Sequence, residues 1–122
     1  MSAQAKTIAR RVHAIVWPAI IKYAGQAELA YVQDQAQWDA DAHLHGSRYE
    51  KTDVLIDSNG EIYMLSNAVN GSVRPESTGK FTELEEVIEM VRAHASQMGS
   101  CCISKFSALS IREAVCAVRA FD

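Results

Sequence analysis

Along this chain the apolar positions follow two different periods, and the change between them marks the elements. Leu84, Val87, Ile88, Val91, Ala95 and Met98 recur at helical steps, which gathers them on one face, and Gly99 is placed to end that helix. Ile111, Ala114, Val115, Val118 and Phe121 repeat the device. Each run follows a hydroxyl residue with a glutamate three positions on: Thr82 with Glu85, and Ser110 with Glu113. In a capping box the hydroxyl accepts from a backbone N–H of the first turn while the glutamate reaches back to the cap's own N–H. The two pairs therefore predict helix starts at Thr82 and Ser110. Between the helices, Cys101-Cys-Ile-Ser-Lys-Phe106 has the composition of a strand.

The first half alternates with the shorter period of strands. Residues 16–23 (Val-Trp-Pro-Ala-Ile-Ile-Lys-Tyr) are rich in strand formers, and Pro18 confines them to a sheet edge or to a strand's first residues. Ala24-Gly25-Gln26 supplies a turn, and residues 29–32 return as a partner. Asp34 and Gln37 stand at the spacing of an N-cap and its third helical residue, predicting a short helix from Gln35 to Ala42 with Trp38 and Ala42 on one face. Residues 43–50, broken by Gly46, read as loop. Residues 52–57 and 61–65 flank Ser58-Asn59-Gly60, in which Asn-Gly readily supplies the positive φ angles of a type I′ turn. Both faces of that hairpin are partly apolar, which places it centrally in a sheet. Residues 66–80 read as a long polar connection in which Ser72-Val-Arg74 could add a short strand.

The fold class that follows is α+β, in the order ββα-ββ-α-β-α. The sheet is mixed but mainly antiparallel, with helices packed against it. A strand at Cys101–Phe106 beside the residue 61–65 strand would make the Thr82 helix a right-handed crossover.

At 122 residues the chain fits one globular domain, set here at residues 15–122 behind a basic arm over residues 1–14. A hydrophobic share of 48% and a charged share of 22% are those of a folded protein rather than a disordered one. The net charge of −3 counts against a nucleic-acid partner, although Lys6, Arg10 and Arg11 with Trp17 nearby form a small basic cluster. No run is long enough to cross a bilayer, and the early apolar stretch carries His13 and Pro18, unlike a secretory signal. With three cysteines, two of them adjacent, a reducing cytoplasmic setting is expected.

Candidate chemistry is sparse. His43 and His45 would share one side of an extended segment but have no second ligand pair in sequence. Asp57-x-Asn59-Gly60-Glu61 looks like the opening of a calcium loop, yet Ala68 stands at the twelfth position where a glutamate is needed. Cys101 and Cys102 suit small buried packing positions on a strand. Glu83, Glu85, Glu86 and Glu89 suit a solvated helix start. No cofactor or metal is called for, and no catalytic residue can be named.

Trp17-Pro-Ala-Ile-Ile-Lys-Tyr23, Leu55-Ile-Asp-Ser58 with Gly60, Val87-Ile88 with Val91-Arg-Ala-His94, and Lys105-Phe106 together give the chain its clearest likeness. It resembles a small family of unknown function found among gammaproteobacteria, including marine species. The resemblance spans about Trp17 to Phe121 and leaves the basic arm outside. It implies no activity and no functional residue.

Two functional expectations remain. The first is an interaction or self-associating module, a homodimer included, with Trp17 and Tyr31 meeting across the first hairpin as an exposed contact surface and Pro18 guarding the edge. The second is a small-ligand protein or enzyme with a site between the sheet and the loop at residues 66–80. Such a site would draw on Asp53, Asp57, His94 or Lys105 as polar groups.

Overall fold

The alternation at residues 16–23 and 29–32 produces a hairpin. Strands β1 (Ala19–Lys22) and β2 (Leu29–Val32) run antiparallel, with Ala19 opposite Val32 and Lys22 opposite Leu29. The computed structural model describes residues 14–66, 71–99 and 105–121. Among the described residues, strands β3 (Val54–Ile56), β4 (Glu61–Met64) and β5 (Glu76–Phe81) complete a five-stranded sheet of order β2-β1-β3-β4-β5, antiparallel throughout. Pro18 therefore guards no edge. It follows Trp17 in a cis peptide and sits just before β1, which is interior.

The β3–β4 turn is one residue longer than Asn59-Gly60 alone would make it. Leu55 pairs with Tyr63 and Ile56 with Ile62, so the ladder closes at Asp57 and Glu61, the expected strand ends. The fully buried Asp57 carboxylate holds this three-residue turn, accepting from the N–H groups of Asn59 and Glu61 at 2.9 and 3.0 Å. Gly60 takes φ 83° in the left-handed position of such a loop. A Cβ there would lie 2.6 Å from Ile111 Cδ1 and 2.9 Å from the Thr82 carbonyl, so no other residue fits without displacement.

Residues 76–81 form β5 where a loop was expected. Their sequence, Glu-Ser-Thr-Gly-Lys-Phe, has no apolar alternation because this strand is an edge with little to bury. Its ladder to β4 is irregular between Glu61 and Tyr63, with Gly79 at φ 74° inside the bulged stretch. Of residues 72–74, only Ser72 makes an isolated bridge.

The predicted short helix becomes two. Helix α1 (Gln35–Ala40) starts at Asp34, whose carboxylate accepts from Gln37 N–H at 2.8 Å. Asp41 then caps α2 (Ala42–Gly46), accepting from His43 and Leu44 N–H, so part of the expected loop is helical and Ala42 is exposed while Trp38 is buried. Helices α3 (Leu84–Gln97) and α4 (Ile111–Val118) follow the predicted stripes, and α4 runs on into a 3-10 turn at Arg119–Phe121. Ser110 caps α4 as expected, accepting from Glu113 N–H at 3.1 Å.

The α3 cap is Glu83, not Thr82. Thr82 N–H is already held by the Gly60 carbonyl at 2.8 Å, which draws its side chain into the interior and leaves Glu83 and Glu86 to form the box. The Thr82 hydroxyl has no hydrogen-bond partner among the described residues. The expected strand at Cys101–Phe106 lies outside the described residues up to Ser104. Its end is not extended, since Lys105 is in a helical turn and Phe106 is irregular. The arm at residues 1–13 also lies outside them.

Two cores result, one on each face of the sheet. Ile20 and Ile56 pack with Val87, Val91, Val115 and Val118 of α3 and α4. Ala19, Ile21, Leu55 and Tyr63 pack with Trp38 of α1, Leu44 of α2 and Val73. Each buried aliphatic side chain contributes about 1.5–3 kcal/mol by leaving water, so both helix layers are held chiefly by these contacts.

Candidate functional site

The sheet edge at β2 is shaped by side chains that finish its hydrogen bonding. In an antiparallel pair, residues facing the partner alternate with residues facing away. Leu29, Tyr31 and Gln33 belong to the outward set. Leu29 N–H donates to Nδ1 of the fully buried His94 on α3 at 2.9 Å. Gln33 N–H donates to Gln37 Oε1 on α1 at 2.7 Å. Tyr31 lies between these two capped positions. Its hydroxyl donates to Gln33 Oε1 at 2.8 Å.

An open groove lies on either side of this edge, and Tyr31 lines both. Toward α1 and α2 a groove of about 490 Å³ is lined by Tyr23, Asp41, His43, Ser47 and Arg48 as well as Tyr31. Asp41 is committed to capping α2. Tyr23 stacks parallel to Tyr49 at 6.5 Å. Burial first and then the neighbouring Tyr23 push the Tyr49 hydroxyl up to about 12.

Toward α4 a groove of about 450 Å³ is lined by Pro18, Tyr31, Gln33, Arg112, Cys116 and Arg119. Arg112 Nη1 donates to the Trp17 carbonyl and Arg119 Nη1 to Gln33 Oε1, both at 3.2 Å. Burial, and then the Cys116 sulfur, raise the Tyr31 hydroxyl above its usual range, and Arg119 and Arg112 offset this only in part.

The model of a family described as protein structure with unknown function matches residues 17–118, most of the chain. The chain belongs to the DUF4144 family. A solved structure, the NMR structure of the protein from Shewanella Amazonensis, is similar to it at a TM-score of 0.65 and 24% identity, over 90% of this chain and 92% of that one. At that identity the likeness speaks for the shared fold. No curated protein matches.

The DUF4144 match brings no activity with it, so the polar residues must be judged by where they sit. Asp53 and Asp57 flank β3 at opposite ends. Asp53 accepts from Ala24 and Glu50 N–H at 2.6 and 2.7 Å, tying the β1–β2 turn to the loop before β3. Asp57 also takes Val16 N–H at 3.0 Å, and Ser58 donates through N–H to the Val16 carbonyl and through Oγ to the Pro18 carbonyl. Both aspartates are therefore backbone clamps. His94 caps β2, and Lys105 is exposed elsewhere. The four groups named for a ligand site do not converge.

His43 and His45 do not share a side either, because they lie two apart on helix α2 rather than on an extended segment. His45 uses both ring nitrogens: Nδ1 accepts from Val73 N–H at 2.9 Å and Nε2 meets the Trp38 carbonyl at 2.8 Å. Among the described residues no group of three or more His, Cys, Asp or Glu could hold a metal ion. Of the expected acidic patch, Glu83, Glu85, Glu86 and Glu89 are exposed, with Glu89 paired to Arg92 at 2.7 Å.

Trp17 and Tyr31 do not meet. Trp17 packs on the α1–α2 core and Tyr31 on the α3–α4 core, across the sheet from each other. Tyr31 lies on the edge strand β2, and Trp17 contributes its backbone carbonyl to Arg112. The residues missed from sequence are Gln33, Gln37, Arg112 and Arg119. One signal was present: Arg112, Cys116 and Arg119 recur at helical spacing on the side away from the Ala114, Val115 and Val118 stripe.

Proposed function

We propose that this protein is an interaction module that receives an extended segment of a protein partner at the β2 edge, centred on Tyr31. The observation that carries the reading is the capping pattern: Leu29 and Gln33 N–H are satisfied from within, while Tyr31 between them faces out of the ladder with a groove on each side. Main-chain pairing at such a point gives affinity, and flanking pockets give side-chain selectivity. The commitment of Asp53, Asp57 and His94 to separate structural roles, with Lys105 exposed elsewhere, supports binding over catalysis. No helix among the described residues is long and apolar enough to cross a membrane.

Selection of a random peptide library displayed on phage, with the full chain as bait, tests the reading. Enriched peptides are expected to shift the backbone amide signals of residues 29–33 and to lose binding to Tyr31→Arg. Failure to enrich any peptide, or enriched peptides indifferent to Tyr31→Arg, overturns it.

A further inference from the structure

The groove between β2 and α4 is positively charged in a chain whose net charge is negative. The chain carries a net charge of −3, yet this lining holds two arginines and no carboxylate. Arg92, by contrast, is neutralised by Glu89. Among the described residues neither Arg112 nor Arg119 forms an ion pair, and each spends an Nη1 donor on a neutral oxygen. A guanidinium has further donors in a planar fork suited to carboxylate and phosphate oxygens.

Gln33 shows where such an oxygen would sit. Its Oε1 accepts from the Tyr31 hydroxyl at 2.8 Å and from Arg119 Nη1 at 3.2 Å, so one neutral amide oxygen joins the two donors. An ionised oxygen in its place would make shorter and stronger bonds to the same donors. Gln33 is exposed, so an entering oxyanion can displace its side chain into solvent, while its backbone stays tied to Gln37. The Tyr31 ring, Pro18 and Ala120 add apolar wall, and about 450 Å³ is more room than a lone ion needs.

We propose that the groove between β2 and α4 binds an oxyanion, a carboxylate or phosphate monoester carried on an apolar body, with Arg112, Arg119 and Tyr31 as donors and Gln33 as a built-in competitor. The site does not depend on a protein occupying the edge, so failure of the peptide selection leaves it standing, and its own failure leaves the peptide reading standing.

The test is a titration of the full chain with phenyl phosphate and, separately, phenylacetate at constant ionic strength, following the arginine Nε–H signals. Saturable shifts at Arg112 and Arg119 are expected, and the probe that saturates at lower concentration names the source of the oxyanion. Affinity should fall about fivefold or more in Arg112→Gln and in Arg119→Gln, and rise about two- to threefold in Gln33→Ala, where the competing acceptor is gone. Saturating probe should also slow alkylation of the exposed Cys116 thiol by iodoacetamide. Linear shifts with both probes in the unmodified protein overturn the proposal. So does unchanged affinity in both arginine variants, provided their amide spectra show the fold intact.

Discussion

The two edges of this sheet solve one problem in opposite ways. An open strand edge invites other chains to pair with it. At β2 the defence is cover: His94 and Gln37 reach across from helices α3 and α1 to occupy outward N–H groups. At β5 the defence is distortion: six mostly exposed residues are bulged around Gly79, and Glu76 and Lys80 put charge on the rim. A covered edge can leave a chosen point open and build pockets beside it. A distorted edge presents no regular ladder to a partner. That difference is why the proposed partner surface is at β2 and not at β5, although β5 exposes more apolar side chain, with Phe81 at 59%.

The most disruptive way to break the contrast is His94→Ala. It removes a fully buried ring and leaves Leu29 N–H without its acceptor, so a loss of about 3–4 kcal/mol is expected in urea unfolding. A loss below about 1 kcal/mol would show that the cap does not hold the β2 edge. At the other edge, Gly79→Ala meets no steric neighbour but forces a left-handed backbone on alanine, for about 1 kcal/mol by the same measurement. Gln37→Ala removes an exposed cap and should cost about 0.5–1 kcal/mol, with faster amide exchange confined to Gln33 and its neighbours.

Alkaline titration has no effect at neutral pH and acts only above pH 10. Tyr49 binds its proton more tightly folded than unfolded, so the folded state holds more protons there and stability falls as pH rises from 10 toward 12. Ultraviolet titration should show Tyr49 ionising after an ordinary tyrosine. A Tyr49 ionising near 10 would remove the burial argument for the Tyr23–Tyr49 stack.

The same contrast explains what could be read from the sequence. The two long helices and both hairpins were legible because their apolar residues recur with the period of the element and pack on a sheet face. β5 was not, because an edge strand that buries almost nothing needs no alternation, and its Ser-Thr-Gly run looks like a loop. The ends of the β3–β4 hairpin were legible at Asp57 and Glu61, but the group that holds its turn was not, because Asn59-Gly60 speaks for a type I′ turn while the deciding group is the Asp57 carboxylate two residues earlier. Thr82 failed as a cap for a non-local reason, since Gly60 had already taken its N–H.

The candidate site was the least legible part. Tyr31 could be picked out by type and place, but its neighbours Gln33, Arg112 and Arg119 come together only when α4 packs over β2. Trp17 was linked to Tyr31 by proximity in a hairpin. The pleat separates them, because the two rings lie on opposite faces of the sheet.

Native-state amide hydrogen exchange along β2 tests the central claim most directly. If the edge is capped at Leu29 and Gln33 and open at Tyr31, the Tyr31 amide should exchange at least about tenfold faster than Leu29, with Gln33 between them, since one hydrogen bond is at stake. Equal protection at all three positions, or Leu29 exchanging as fast as Tyr31, would contradict the account.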